Sequence, residues 1–259
     1  MKICQVSVLL DSLKKTFGKT EALDVEQFEI NAGDILGLVG NNGAGKTTMF
    51  RIILDLLDAT EGEVTITADG TAIKPAGNED WKQFTGAYID SGFLIDYLTP
   101  DEYFDFIGKI NGLGKDELAE RLKTFEPLMN GEVMGQNKLI RNLSAGNKQK
   151  VGIIAAMLHR PQLIILDEPF NFLDPSGQIV VKKMLRQYNE ETGATILISS
   201  HNLSHTLDIC SRVALLEHGR IIHDYKADDE EMAAKITEYF EKGSSRGVEG
   251  EFKGSLRDE

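Results

Sequence analysis

The chain has 259 residues, with 28 lysines and arginines against 41 aspartates and glutamates, so its formal charge is −13. A chain this acidic is a poor candidate for binding duplex nucleic acid, because phosphate neutralisation needs clustered Lys and Arg. Its two cysteines, Cys4 and Cys210, are too few for a disulfide framework and indicate buried thiols in a reducing compartment. The sequence contains no run of about 18 apolar residues that could span a membrane. We therefore expect a cytosolic globular protein, unless a partner holds it to a membrane.

The first third of the chain has the hydrophobic patterns of strands. Phe28 and Ile30 alternate with polar residues, and residues 62–67 alternate in the same way, which is typical of antiparallel strands with one wet face. Ile35–Val39 is instead an uninterrupted apolar run after a turn. Such a run predicts a strand that is buried on both faces, as in a parallel sheet.

Helical signals begin at Thr99. Thr99, Pro100 and Glu102 form a capping box with proline at the first helical position, which predicts a helix through Ile110. Further helices are predicted over 115–125 and 145–159. Apolar runs at 163–166 and 195–198 then flank a helix that Asp174 caps and Pro175 begins, and this order implies right-handed crossovers in a largely parallel sheet. Residues 213–222 predict a hairpin, residues 228–242 an amphipathic helix, and Gly243 onward a flexible polar tail.

Residues 40–48 match the phosphate-binding pattern G-x-x-x-x-G-K-[ST] in full. The pattern lies directly after the buried strand and before an apolar helix extending to Leu57, where glycine-rich backbone can wrap a phosphate and the helix N-terminus adds positive charge. Lys46 can reach the β- and γ-phosphates, and the Thr47 hydroxyl can ligate Mg²⁺. The predicted nucleotide-binding residues are Asn41, Asn42, Gly43, Ala44, Gly45, Lys46, Thr47 and Thr48.

An acidic pair follows the apolar run at 163–166. Asp167 and Glu168 come at the carboxyl end of this predicted strand, the edge at which ligands of α/β sheets bind. Asp167 is placed to hold Mg²⁺ through water, and Glu168 to polarise the water that attacks the γ-phosphate. Together with the phosphate loop, this pair predicts a nucleoside triphosphatase that uses Mg²⁺, and it leaves several families open.

Several further motifs narrow the family. Residues 143–147 (Leu-Ser-Ala-Gly-Asn) resemble the L-S-G-G-Q signature of ATP-binding cassette (ABC) proteins, and they lie 167 − 143 = 24 residues before Asp167, as in that family. Residues 171–174 are similar to its D-loop, residues 198–201 to the strand that ends in its switch histidine, and Phe17 lies where an aromatic ring stacks on adenine. The resemblance covers about residues 5–225.

The resemblance implies a fold and a division of the chain. The fold is a P-loop NTPase core of class α/β with a mainly parallel sheet, an N-terminal antiparallel β-subdomain and an α-helical signature subdomain at about 97–158. The nucleotide-binding domain would span residues 1–225, and residues 226–259 would form a C-terminal helix and a flexible acidic tail.

The resemblance also implies a mechanism and partners. Family members work as head-to-tail pairs, so Ser144 and Gly146 would contact ATP bound to a second copy of the chain, and the catalytic residues would be Lys46, Glu168 and His201. An integral membrane transporter subunit is the implied partner, with this chain on the cytoplasmic face of the membrane. Residues 98–104 resemble the corresponding stretch of exporter-type ATPases, and nucleic acid is not an expected ligand.

The sequence departs from the family pattern at three positions. Asp90 replaces a glutamine that touches Mg²⁺ and water and senses the transporter; aspartate can still approach Mg²⁺ through water, but it donates no hydrogen bond unless protonated. Ala145 adds a methyl group where the family has glycine, and Asn147 shortens a glutamine. We expect Asp90 to affect coupling to the transporter more than ATP binding, the other two changes to be tolerated, and hydrolysis to be retained.

Other functions stay open at this point. A non-transport ABC protein acting in DNA maintenance or translation is disfavoured, because the chain has neither a long coiled coil nor a second cassette, and its charge is −13. The three departures suggest a regulatory subunit that closes on ATP and barely hydrolyses it. His201 and His205 have the spacing of a helical zinc pair, but only Cys210 lies near them in sequence as a third ligand.

Overall fold

The computed structural model describes residues 5–226. The strands in this range are β1 (Val6–Phe17), β2 (Thr20–Ile30), β3 (Ile35–Val39), β4 (Glu61–Ala68), β5 (Thr71–Ile73), β6 (Thr85–Tyr88), β7 (Leu163–Leu166), β8 (Thr195–Ser200), β9 (Arg212–Glu217) and β10 (Arg220–Lys226). The α-helices are α1 (Lys46–Ile53), α2 (Pro100–Ile110), α3 (Lys115–Thr124), α4 (Glu126–Met129), α5 (Ala145–Met157), α6 (Pro175–Thr192) and α7 (Leu203–Leu207). Short 3₁₀ turns cover Asp80–Phe84, Ser91–Phe93 and Ile140–Asn142.

The strands form two sheets, which confirms the predicted α/β class. The core sheet has six strands in the order β10-β9-β3-β8-β7-β6, and β10 runs antiparallel while the other five are parallel. The second sheet has the order β2-β1-β4-β5 and is antiparallel throughout. A mainly parallel core sheet and an N-terminal antiparallel sheet were both predicted from the sequence, and both are confirmed.

The central strands β3 and β7 contain no polar side chain, and β8 is apolar over residues 196–198, because both faces of these strands are covered. Successive side chains of a strand point to opposite faces. Ile35 and Val39 of β3 therefore join one hydrophobic cluster with helices α2–α6, while Leu36 and Leu38 join a second cluster with α1 and the antiparallel sheet. β7 and β8 divide their side chains between the same two clusters. The prediction that Ile35–Val39 is buried on both faces is confirmed.

The helix termini follow the capping signals of the sequence. Thr99 and Glu102 form the predicted capping box of α2, which ends at Ile110 as expected. The Asp174 side chain caps α6, with Pro175 at its first position. The predicted helices at 115–125 and 145–159 are α3 and α5, which end one and two residues earlier than expected. α1 is shorter than predicted: it ends at Ile53, and Asp55 has a left-handed φ of 52°, so Leu56 and Leu57 lie outside the helix.

The topology brings the predicted site residues to one edge of the core sheet. The phosphate loop follows β3, Asp167 and Glu168 follow β7, and His201 follows β8, and these three strands are neighbours in parallel. Carboxyl ends of parallel strands meet at the same edge, where ligands of α/β sheets bind. Within residues 5–226, no helix is long and apolar enough to cross a bilayer. The predicted C-terminal helix and acidic tail, together with Cys4, lie outside the described residues.

Candidate nucleotide-binding site

The phosphate loop uses glycine where the backbone requires it. Gly45, immediately before α1, has a φ of 111°, a conformation that side chains with a Cβ rarely adopt. At Gly40, an added Cβ would lie 2.3 Å from the carbonyl oxygen of Leu216 on β9. The loop therefore packs tightly against the sheet on one side. Asn41, Asn42 and Gly43 are exposed, and Ala44 is buried.

Lys46 holds its charge inside the loop. Its side chain is only 6% exposed, and its Nζ donates hydrogen bonds to the carbonyl oxygens of Gly40 (2.6 Å) and Asn41 (3.3 Å). The same Nζ lies 3.5 Å from Oε1 of Glu168. The loop thus encloses the cation that a bound phosphate would need, because anions bind where backbone N–H groups and a lysine converge.

Thr47 and Asp167 meet although 120 residues separate them. The Thr47 hydroxyl donates to Oδ2 of Asp167 at 2.5 Å, and the hydroxyl of Ser199 on β8 donates to the other carboxylate oxygen. Burial raises the pKa of Asp167, because a desolvated carboxylate disfavours its charged form. A hydroxyl and a carboxylate are the oxygen ligands that Mg²⁺ prefers, and a divalent cation would stabilise this buried charge. The residues present therefore fit Mg²⁺.

Glu168 lies between two groups that can direct its chemistry. Its Oε2 is 2.8 Å from Nδ1 of His201, while its Oε1 faces Lys46. The backbone at Glu168 has a left-handed φ of 48°, and it is fixed by an N–H bond to the Ser199 hydroxyl and by the Gln149 amide, which donates to its carbonyl oxygen. Strained backbone that its surroundings hold in place is common at active sites. The carboxylate is thus positioned to accept a proton beside the phosphate loop.

The two histidines of the zinc alternative have different surroundings. His201 faces Glu168, whereas the ring of His205 packs against Phe170 with 5.1 Å between centroids. Burial lowers the pKa of His205, which favours its neutral form. Within residues 5–226, no group of three His, Cys, Asp or Glu side chains is arranged to hold a metal ion.

The signature residues lie at the start of α5. The Ser144 side chain is used locally, since its hydroxyl accepts the Asn147 N–H at 3.2 Å and caps the helix. Gly146 lies against the D-loop, where an added Cβ would be 2.7 Å from the Phe172 carbonyl oxygen. Among the described residues, no hydrogen bond joins Ser144 or Gly146 to the phosphate loop. These two predicted binding residues are therefore not part of the cluster that the chain assembles around Lys46.

Phe17 and Asp90 lie at the margins of the site. Phe17 ends β1, its ring is half exposed, and the Lys15 ammonium is 5.1 Å from the ring centroid. The next strand, β2, runs past the phosphate loop, because a Cβ on Gly45 would be 2.7 Å from the Ala22 carbonyl oxygen. Asp90 shares a cavity of about 390 Å³ with Asp167 and Glu168. Its carboxylate, however, accepts hydrogen bonds from Arg51 and from the Gly92 N–H.

Sequence reasoning missed three residues that organise the site. Ser199 binds both Asp167 and the Glu168 backbone, Gln149 holds the Glu168 carbonyl, and Arg51 pairs with Asp90. Ser199 carried a signal, because it is a hydroxyl residue that interrupts the apolar pattern of a buried strand. Gln149 and Arg51 carried none, since polar residues on helices are usually solvated.

Known proteins place these observations in a family. The ABC transporter family matches residues 23–171. The chain is 33% identical to an uncharacterized ABC transporter ATP-binding protein of Synechocystis over 79% of its own length and 56% of the relative's. It is 31% identical to the bacitracin transport ATP-binding protein of Enterococcus faecalis, over 92% of this chain and 80% of the relative. It is 34% identical to the methionine import ATP-binding protein of Rhizobium etli, over 84% and 60%. The chain thus spans little more than half of some relatives and four fifths of another.

Solved structures agree with the fold and with the chemistry. An ATP-binding subunit of an ABC transporter superposes with a TM-score of 0.75 at 26% identity, covering 88% of this chain and 93% of that one. A dimeric ATP-binding cassette, solved in a post-hydrolysis state with ADP and phosphate, has a TM-score of 0.72 at 26% identity over 85% and 98%. Residues 23–171, which match the ABC transporter family, contain the phosphate loop, the signature residues, Asp167 and Glu168. The chain belongs to the ATP-binding proteins of ABC transporters and is an ATPase of that family.

Proposed function

We propose that this chain is the ATP-hydrolysing subunit of a transporter, that two copies of it act together, and that they drive a separate membrane-spanning subunit. One observation carries the proposal. Within a single chain, Glu168 is connected to Lys46 and His201, whereas Ser144 and Gly146 have no hydrogen bond to the phosphate loop among the described residues. A second copy, placed head to tail, would bring its own Ser144 and Gly146 to the nucleotide.

The chemistry follows from the side chains around the loop. Lys46 would bind the β- and γ-phosphates of ATP, with Phe17 against the adenine ring. Thr47 and Asp167 would hold Mg²⁺, which when bound neutralises charge on the phosphates. Glu168 would accept a proton from water while the water oxygen forms its bond to the γ-phosphorus. The bond to the bridging oxygen breaks, and ADP leaves with the electron pair. His201 would orient the Glu168 carboxylate and the γ-phosphate.

A groove beside the Asp90 loop supports a protein partner. It has a volume of about 430 Å³ and lies between β6, α2 and α5, and Phe93 and Ile110 on its wall are 51% and 63% exposed. Large apolar side chains exposed together usually mark an interaction site. We assign this groove to the membrane subunit, which would hold the chain at the cytoplasmic face. Residues 98–104, which include the cap of α2 and resemble the corresponding stretch of exporter-type ATPases, favour an exporter.

A cross-linking experiment tests the partnership. A photoreactive amino acid at Phe93 should trap an integral membrane protein in native membranes, and the same group at Leu56 should not. Leu56 is a matched control because it is also an exposed apolar residue but lies in the segment after α1. Co-reconstitution of the trapped protein should raise ATP turnover, and ATP added on the ATPase side should move cargo away from that side. A chain that stays unpartnered in its native cell, or cargo movement toward the ATPase side, would contradict the partnership or the direction, respectively.

A further inference from the structure

We propose that Asp90 is a positioning residue that Arg51 holds against α1, and that it does not ligate Mg²⁺. This inference rests on the proposed function, since it concerns how the ATP site is connected to the rest of the chain. It differs from the role that the family's glutamine suggests for this position. The observation behind it is that both oxygens of the Asp90 carboxylate already have partners outside the Thr47–Asp167 pair.

The geometry of the two contacts fixes the carboxylate. Oδ2 of Asp90 lies 3.3 Å from a terminal nitrogen of Arg51, and Oδ1 accepts the Gly92 N–H at 2.7 Å. The second bond caps the short turn Ser91–Phe93, in which Phe93 and Leu94 also donate backbone hydrogen bonds. The Arg51 side chain is partly exposed, while its Nε is buried and has no hydrogen-bond partner among the described residues. The guanidinium therefore presents its outer edge to Asp90.

The charges around the cavity explain why such a pair is needed. Asp90, Asp167 and Glu168 line the same cavity of about 390 Å³ with one cation, Lys148, and a polyanionic nucleotide at its edge would bring still more negative charge. Like charges at short range repel, and a cation beside one of them relieves the repulsion. Lys46 faces Glu168, and the hydroxyls of Thr47 and Ser199 donate hydrogen bonds to Asp167. Arg51 gives Asp90 its own compensating charge.

The position of the pair in the fold gives it a mechanical role. α1 begins at the phosphate loop with Lys46 and Thr47, and Arg51 lies on its next turn. Asp90 follows β6, whose last residue, Tyr88, accepts the Asp167 N–H through its carbonyl oxygen at 2.9 Å. Beyond Asp90, the chain leads through Phe93 and the groove to α2. The ion pair thus joins the helix that would bind phosphate to the loop that would meet the partner.

A double-mutant cycle tests the pair without relying on turnover. Arg51→Gln removes the positive charge and keeps a polar end on a shorter side chain, and Asp90→Asn keeps the side-chain length and the acceptor for Gly92. We expect Arg51→Gln to raise hydrogen exchange of the amides of 92–94 about two- to fivefold in the nucleotide-free protein, the range typical of an exposed ion pair. In the Asp90→Asn background, the same change should have no further effect. Glu63→Gln, which breaks the exposed pair with Lys74, is the matched control and should leave these amides unchanged.

Metal affinity separates this role from ligation. Mn²⁺ binding in the presence of ATP, followed by electron paramagnetic resonance, should stay within about twofold of wild type in Asp90→Asn, whereas loss of even a residue that supports the metal's ligands typically costs about 10- to 100-fold. A tenfold weaker Mn²⁺ affinity, or additive effects of the two substitutions on exchange, would overturn the proposal. Hydrogen exchange is measured without nucleotide, so a negative result there concerns only the Asp90–Arg51 pair. Failure of the proposed ATPase function would appear separately, as unchanged ATP affinity in Lys46→Ala.

Discussion

The phosphate loop and the signature loop both contain glycine and both begin a helix, but the fold surrounds them differently. Lys46 is buried, and Thr47 reaches an aspartate 120 residues away. Ser144 is exposed, and its hydroxyl serves only the cap of its own helix among the described residues. The first loop is therefore part of a cluster of contacts that one chain assembles by itself. Under the proposed function, the second would contact a nucleotide only in a pair with another copy of the chain, and four experiments test this contrast.

Glu168→Gln should have the largest effect. It keeps the shape of the side chain but removes the proton acceptor, so ATP turnover should fall about 100- to 1000-fold while ATP binding persists. Phosphate release is the measurement, and Glu190→Gln, an exposed glutamate on α6, is the matched control that should behave like wild type. Equal and slow phosphate release by wild type and Glu168→Gln would point to a regulatory subunit instead.

Lys46→Ala should impair both binding and turnover. It removes the cation enclosed by the loop, and hydrogen bonds to a charged group each stabilise by about 1.5–3 kcal/mol, so ATP affinity should fall at least about tenfold. Titration with a fluorescent ATP analogue measures this loss. Unchanged affinity would show that the loop does not bind the phosphates.

Mixing two inactive variants tests where the second half of the site comes from. Ser144→Arg should block the signature surface but leave the phosphate loop intact, and Lys46→Ala should do the reverse. In a head-to-tail pair, each dimer of one variant with the other has one of its two sites intact. About half of the dimers in an equal mixture are of this kind, so turnover should recover to roughly a quarter of wild type. If the signature acted within its own chain, the mixture would stay as inactive as its components.

Asp167→Asn should have the smallest effect, and it should be stabilising. Burial raises the pKa of Asp167, so the charged form destabilises the metal-free fold at neutral pH, and removing the charge should raise Tm by about 2–4 °C per kcal/mol gained. Calorimetry with a chelator present measures this shift.

Asp174→Asn is the matched variant with the opposite expected sign. The Ser176 hydroxyl and the Gly177 N–H lower the pKa of Asp174, so its carboxylate stabilises the fold above its ordinary pKa, and this stability is lost as the pH falls through the lowered value. A lower Tm for Asp167→Asn, or a higher one for Asp174→Asn, would contradict this account of the two carboxylates.

Local features of the fold were predictable because their causes are local. The capping box at Thr99 and Glu102, the cap at Asp174 and the apolar run Ile35–Val39 depend on neighbouring residues, and the structure confirms all of them. The predicted end of α1 was wrong, because the apolar spacing continues to Leu57 while the backbone turns at Asp55. Hydrophobic periodicity marks the face that a segment buries, but it does not mark where a helix stops.

The sequence alone determined the motifs, the order of strands and helices, and the residue types that bind phosphate and metal. Only the tertiary structure decided which side chains meet: Thr47 with Asp167, Glu168 with His201, and Asp90 with Arg51. These contacts join segments that are distant in the chain, and their geometry depends on how parallel strands align at one edge of the sheet. The short Asp90 side chain can contact only groups close to its own backbone, and the fold brings Arg51 to within that distance.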